Sequence, residues 1–194
     1  MDIPGHPARK GALKLLDAVL RRGETLDVAA HAALQGLRSG PDKALARALA
    51  SEVLRWLTDL DALIDSATRQ PLPDDAKPRA ALRIMLAGWL RLDTPPHAVI
   101  ATGLPLLSGG PRRLAHGVFS TLVKQGASLP AVPTLPAAVV ERWGAQGGAI
   151  AAGLAVPPPL DLTLKDAGQT AHWAERLGGT SLAPGHVRLP RGTA

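Results

Sequence analysis

Apolar residues recur at intervals of three and four positions through most of residues 7–126, and this spacing constrains the fold more than any other feature of the chain. A helix with this spacing carries one apolar stripe, which must be buried against a neighbouring element. The longest stripe follows Pro41 and comprises Leu45, Leu49, Val53, Trp56, Leu57, Leu60, Leu63 and Ile64. We therefore predict that residues 7–126 form a bundle of amphipathic helices.

Proline and glycine mark the ends of the predicted helices, since proline suits a first turn and glycine a C-terminus. Alanine and leucine dominate the composition, and 46% of the residues are hydrophobic, so the chain can build a packed helical core. Six helices are predicted: Pro7–Gly23, Thr25–Gly40, one long helix Pro41–Ile64, Pro78–Leu90, His97–Leu107 and Arg112–Gly126.

The composition changes after Gly126. Three prolines between residues 127 and 136 predict a linker, and a helix rich in alanine and glycine is predicted from Pro136 to Ala155. The remaining residues predict a strand at 160–164, a helix at 167–177 and a strand at 186–190.

Two short strands and one helix are too few to make a stable sheet by themselves. We therefore expect that Ala194 is not the natural C-terminus and that the full protein is longer.

The predicted fold is mainly α, with a helical domain over residues 1–126, a linker and helix over 127–156, and an incomplete α+β subdomain over 157–194.

Several classes of site are excluded by the residue types present. The chain has no cysteine, so it has no disulfide, thiolate metal site or cysteine nucleophile. The histidines do not share metal-ligand spacing on one helix, so no metal site is predicted. The longest apolar run, Ala80–Leu92, is interrupted by Arg83 and Arg91, and the N-terminus lacks the features of a secretory signal. A cytoplasmic protein without a membrane partner is expected.

The charge balance suggests an anionic partner. Twenty-two basic and 16 acidic residues give a formal net charge of +6, which favours nucleic acid as the partner. The alternative is that the many arginines reflect a GC-rich genome. In the first predicted helix, Lys10, Lys14 and Arg21 fall on one stripe opposite the apolar side, with Arg9 beside it. Such a stripe can follow a phosphate backbone. An ordinary solvated face is the alternative, and an acidic residue within the stripe favours it.

A second basic pair begins the sixth predicted helix. Arg112 and Arg113 would oppose the helix dipole there, so their position favours an anion contact over helix stability. The alternative is that the helix starts later and leaves both in a loop. Because the chain has one phenylalanine and no tyrosine, stacking platforms for single-stranded bases are scarce. Recognition of a folded RNA through its backbone and shape is the better fit.

Four stretches carry a resemblance to a known family. They are Ala8–Leu16, Asp42–Ala46 with Glu52–Trp56 and Leu60-Asp61, Leu82–Trp89 with Pro95–Val99, and Pro157–Leu162. Their order and spacing resemble the NusB-like RNA-binding fold and, over roughly residues 8–190, the N-terminal half of the RsmB/Sun-type ribosomal RNA cytosine-5 methyltransferases.

The resemblance implies a protein that binds RNA, ribosomal RNA in particular, with its chemistry in a domain outside this chain. The family's enzymes bind S-adenosylmethionine through a glycine-rich loop and attack the cytosine ring with a cysteine. This chain has neither feature, so no cofactor or catalytic residue is expected within it. In the sixth helix, the family usually has Asn and Arg at the positions of His116 and Ser120. The polar tether and the phosphate contact that the resemblance implies at those positions therefore lack their usual residues in this chain. The alternative function is a NusB-like transcription-antitermination or protein-interaction scaffold.

Overall fold

Helices make up most of the regular structure in the computed structural model, which describes residues 4–156 and 158–190. The described residues divide into two compact units, within 1–147 and 148–194. The first unit contains α1 (His6–Arg22), α2 (Leu26–Leu34), α3 (Gly40–Arg55), α4 (Leu57–Ser66), α5 (Lys77–Leu90), α6 (Pro96–Gly103), α7 (Gly109–Lys124) and α8 (Ala137–Trp143). The second contains α9 (Gly147–Leu154, which begins at the boundary), β1 (Leu160–Thr163), α10 (Thr170–Arg176) and β2 (His186–Leu189).

The predicted helix ends are set by local backbone chemistry. Gly23 ends α1 with a φ of 70°, a left-handed conformation that glycine adopts without strain. The Thr25 side chain then accepts a hydrogen bond from the Val28 amide and caps α2, as the sequence predicts. Ser39 caps α3 in the same way through the Asp42 amide. The structure thus confirms the predicted end of the first helix and the predicted starts of the second and third to within a residue or two.

The core of the first unit lies where α1, α3, α5 and α7 meet. Every residue from Ala81 to Gly88 in α5 is buried, because neighbouring helices surround this element. A helix buried on all sides cannot present a binding surface along that segment. The largest fully buried side chains of the core include Leu15, Leu49, Trp56, Leu60, Met85 and Phe119.

The prediction of one long helix from Pro41 to Ile64 is wrong, because the structure breaks it at Trp56. There φ is −110° and ψ is 21°, outside the helical region, so α3 ends at Arg55 and α4 begins at Leu57. Trp56 is 1% exposed, with the Arg91 guanidinium 4.8 Å from its ring centroid. The apolar stripe stays buried on both sides of the break, so the spacing alone does not reveal it.

Two buried arginines of α5 form ion pairs with partly exposed aspartates of α4. Arg83 binds both carboxylate oxygens of Asp61, at 2.7 and 2.8 Å, and Arg79 contacts Asp61 at 3.1 Å and Asp65 at 2.5 Å. Both guanidiniums also donate to backbone carbonyls of the connector that follows α4, at residues 72 and 74. These two arginines are therefore structural, and their charges are neutralised inside the protein.

In the second unit, β1 and β2 confirm the two predicted strands. They pair antiparallel with Leu160 opposite Leu189 and Thr163 opposite His186. The predicted helix Pro136–Ala155 is interrupted instead, since Gly144 has a φ of 48° and ends α8 before α9 begins. Ala194, the expected internal point of a longer protein, lies outside the described residues. The predicted domain limits at residues 126 and 156 stay predictions.

None of the helices in the described ranges is both long enough and apolar enough to span a membrane. Within the same ranges, no group of three histidine, aspartate or glutamate side chains is arranged to hold a metal ion.

Candidate nucleic-acid interface

The outer face of α1 carries two free lysines. Lys10 and Lys14 are exposed and lie one helical turn apart, because Ala8, Ala12 and Leu15 occupy the core side of the same helix. The rise between the two lysines is about 6 Å along the helix axis. Neither lysine forms an ion pair with any acidic residue that the structure describes. Their full charges are therefore available to an anionic ligand.

Arg21 lies on the same stripe but is partly neutralised. Its guanidinium is 3.2 Å from a carboxylate oxygen of Asp17, and Arg22 contacts the other oxygen of that carboxylate at 2.8 Å. All three side chains are well exposed, so these pairs are weak and another anion can compete for the arginines. Arg21 therefore contributes less to the local potential than Lys10 or Lys14.

Arg9 is not brought together with the two lysines. It is 5% exposed, and its Nη1 donates a hydrogen bond of 3.0 Å to the Gly5 carbonyl just before α1. Burial lowers the pKa of its guanidinium, since the low-dielectric interior disfavours the charged form. Consecutive side chains of a helix point about 100° apart. Arg9 therefore lies on the packed side of α1, whereas Lys10, the next residue, is exposed.

Arg112 and Arg113 lie within α7, which begins at Gly109. The alternative that the helix starts after them is wrong. Both side chains are exposed, and neither forms an ion pair with a residue of the described ranges. No acidic residue occupies the first turn of α7 to offset the two cations. The pair therefore forms a second basic surface, on a different helix from Lys10 and Lys14.

An open groove runs between α1, α2 and the start of α5. Its volume is about 550 Å³, and Lys14 and Arg21 stand on its rim. The floor is apolar, and acidic residues of α1 and of the connector before α5 also reach it. Mixed charges around an apolar floor are typical of a surface that contacts protein. Apolar and acidic lining residues include Leu13, Leu16, Leu20, Asp17, Asp74 and Asp75.

A second cleft lies between α7 and the segment that follows α4. It has a volume of about 620 Å³, and Arg69 and Arg113 are its charged lining residues. None of the residues that line it is acidic. Arg69 was not predicted from the sequence, since a single arginine after a helix carries no pattern that separates it from other surface arginines. Only the packing of α4 against α5, and of α5 against α7, brings it near Arg113.

The chain is similar to proteins of one family over its helical unit. The model of the NusB family matches residues 6–106. The chain matches no curated protein sequence.

Solved structures share the fold at low identity. A crystal structure of the antitermination factors NusB and NusE in complex with double-stranded RNA has a chain that is 20% identical, with a TM-score of 0.55; the match covers 62% of this chain and 96% of that one. A NusB from T. maritima is 19% identical, with a TM-score of 0.56 and coverage of 67% and 96%. A chain in a crystal structure of a plectonemic RNA supercoil is 19% identical, with a TM-score of 0.58 and coverage of 64% and 97%.

Proposed function

The chain belongs to the NusB family, and from this premise we propose that it binds RNA through the outer face of α1. The observation that carries the proposal is the pair Lys10 and Lys14: both are exposed, one turn apart, and free of acidic partners among the described residues. Lysines in this arrangement contact phosphates and position an RNA without reading its sequence. The solved complex of NusB with NusE and double-stranded RNA supports RNA as the anion.

The charge of the whole chain supports the same ligand. A formal net charge of +6 raises the local concentration of a polyanion and speeds its encounter with the protein. Arg112 and Arg113 extend the proposed surface, because both are exposed and without acidic partners in the described ranges. Arg21 contributes once its pair with Asp17 opens.

The test is a double charge reversal, Lys10→Glu with Lys14→Glu, measured as RNA affinity at several salt concentrations. Each phosphate contact contributes about 0.9 to the slope of log affinity against log salt for a duplex, so losing two contacts lowers that slope by about 1.8. The matched control is Lys43→Glu with Lys124→Glu. Those lysines are also exposed and unpaired within the described ranges, and their reversal changes the net charge equally.

An equal loss in both double variants would show that only net charge matters, and would contradict the assignment to α1. Unchanged binding in the Lys10 and Lys14 variant would contradict it more directly. Circular dichroism establishes that both variants fold.

We further propose that the RNA is ribosomal and that the chain serves an S-adenosylmethionine-dependent cytosine-5 methyltransferase. Two observations support this. The match to the three solved structures takes up 62–67% of this chain but 96–97% of theirs, so about a third of this chain has no counterpart in those structures. Outside residues 6–106, which the NusB family model matches, the described residues include the β1–β2 pair with α10 between its strands, in agreement with the small α+β subdomain that the resemblance implies.

The methyltransferase proposal is tested by the coding sequence that follows codon 194. An in-frame continuation with a glycine-rich loop and two cysteines is expected. Expressed whole, that protein should transfer a methyl group from S-adenosylmethionine to a ribosomal RNA transcript. A stop codon directly after codon 194 would remove the proposal and leave RNA binding as the function.

A protein-interaction scaffold is the second candidate, and the groove between α1 and α2 favours it. Its apolar floor and mixed charges suit a protein surface better than a polyanion. The test is binding to purified NusE from the same genome. Leu20→Asn places a polar side chain at a groove residue that is already 39% exposed without changing the net charge, and should weaken complex formation while leaving RNA affinity intact. Val28→Asn is the control, since Val28 is 67% exposed and lies outside the groove lining.

A further inference from the structure

The cleft between α7 and the segment after α4 differs from the groove at α1 in its charge. Arg69 and Arg113 line it from two different elements, and no acidic residue lines it. Neither arginine forms an ion pair with any residue that the structure describes. By contrast, three aspartates line the groove at α1. An anion bound in this cleft would therefore meet two unpaired cations and no carboxylate.

We propose that this cleft holds one unpaired nucleotide of a bound RNA, with a phosphate between Arg69 and Arg113 and the base on the apolar floor. The inference rests on the proposed RNA-binding function and adds a subsite to it. It identifies a structural preference in the RNA, namely a bulged or looped-out nucleotide within an otherwise paired region.

The size and floor of the cleft suit a base. A volume of about 620 Å³ lies within the range of about 300–1,000 Å³ typical of small-molecule sites. Leu72, Leu114 and Val118 supply an apolar surface, and Leu114 is 39% exposed. Burying part of that surface under a base is favourable, and a guanidinium plane can also stack on a base. The site therefore does not require the aromatic residues that the chain lacks.

Polar groups at the cleft can contact the edge of the base. Gln70 lines the cleft, is exposed, and its side-chain amide has no hydrogen-bond partner among the described residues. That amide offers both a donor and an acceptor. The Thr68 hydroxyl donates to the Asp65 carbonyl and keeps its acceptor capacity. An apolar floor with a few polar groups and cations at the rim is the arrangement that an unpaired nucleotide needs.

The cleft can be filled without disturbing the fold. Gly117 lines it in the exposed side of α7, and a Cβ built at this glycine meets no atom within 4 Å. Gly117→Leu should therefore occupy the cleft while improving helix propensity. Gly110→Leu is the matched control, because Gly110 is also an exposed glycine of α7 with open space around it and does not line the cleft.

The experiment compares two RNAs, a hairpin with a fully paired stem and the same hairpin with one bulged uridine. The bulge should raise the affinity of the wild-type protein at least about 5-fold, because the base buries apolar surface of the cleft and the phosphate meets two arginines. Gly117→Leu, Arg69→Ala and Arg113→Ala should each remove most of this preference, whereas Gly110→Leu should retain it. A 4-thiouridine at the bulge should crosslink within residues 67–72 or 113–118.

Failure of the subsite is distinguishable from failure of RNA binding. Equal affinity for the two hairpins, with binding still sensitive to Lys10 and Lys14, would overturn the subsite alone. No binding of either hairpin would overturn the proposed function with it. If an acidic peptide such as oligoglutamate binds in a manner that requires Arg69 and Arg113, while the bulge confers no advantage, the cleft is a protein site and the nucleotide proposal is wrong.

Discussion

The arginines of this protein differ in whether the fold pairs their charge. Arg79 and Arg83 are 2% and 4% exposed and are paired with Asp61, Asp65 and the connector carbonyls. Arg69, by contrast, is exposed and has no acidic partner among the described residues. The net charge of +6 is therefore not evenly available at the surface, and the cations that can meet an anionic ligand are those that the fold leaves exposed and unpaired.

The pairing of single residues also sets a pH dependence in the second unit. Arg188 donates two hydrogen bonds to Asp161, at 2.7 and 2.9 Å, and His186 lies 3.1 Å from the same carboxylate. The hydrogen bonds from Arg188, together with its charge and the contact with His186, lower the pKa of Asp161 from 3.8 to about 2. A lowered carboxylate pKa means that this contribution to stability is present above pH 3.8 and is lost as pH falls towards 2.

The first prediction follows from this pair. In the carboxyl-carbon NMR spectrum, Asp161 should titrate with a midpoint near 2, and Arg188→Met should return the midpoint towards 3.8. Arg142→Met, which changes an arginine without an acidic partner in the described ranges, should leave the Asp161 midpoint unchanged. A wild-type midpoint already near 3.8 would show that the bidentate pair does not form in solution.

The order of the helices can be predicted from the sequence, whereas the positions at which two of the predicted helices are interrupted cannot. The apolar spacing predicts the helices of the first unit because each must bury one stripe. The break at Trp56 escapes that argument, since Val53 before it and Leu60 after it are both fully buried and the stripe continues to Ile64. The turn at Gly144 depends on one left-handed φ, which a run of alanine and glycine does not specify.

The candidate site is less predictable than the fold for a related reason. Helical periodicity identifies Lys10 and Lys14 because both lie on one element opposite its apolar side. It cannot identify Arg69, which lines the same cleft as Arg113 only because separate helices pack together. It also misplaces Arg9, because exposure at the margin of a helical stripe depends on the neighbours, and here Arg9 folds back onto the carbonyl of residue 5.

The second prediction concerns two helical glycines whose replacement by alanine should change the free energy of unfolding in opposite directions. Gly103 ends α6 against α5, and a Cβ there would lie 2.5 Å from the Met85 Cγ, so Gly103→Ala should destabilise the protein by about 1–3 kcal/mol. Gly117 in α7 has open space, so Gly117→Ala should stabilise it by about 0.5–1 kcal/mol. Urea unfolding measures both. Equal effects of the two substitutions would contradict the close approach of α5 and α6.

For the whole molecule, the distribution of buried apolar residues separates two cores. The continuous core cluster, with the side chains packed against it, lies entirely between residues 8 and 129. The buried apolar side chains of the second unit in the described ranges are Ala151, Val187 and Leu189, and they are not part of that cluster. Residues 4–147 therefore contain a complete hydrophobic core and can fold independently. A two-stranded sheet with few buried residues has only marginal stability by itself.

The third prediction is that residues 1–147 fold without the rest of the chain. Because the core cluster is complete within them, the loss in unfolding free energy should be under about 1 kcal/mol, which corresponds to a change in Tm of less than about 4 °C. Circular dichroism during heating measures this, with residues 148–194 alone as the comparison, expected to lack a cooperative transition. Since Lys10, Lys14, Arg69 and Arg113 all lie in the retained unit, the fragment should also keep the RNA affinity and the bulge preference. A fragment that melts without cooperativity would show that the first core is incomplete, and one that folds but loses RNA would place the RNA surface in the second unit.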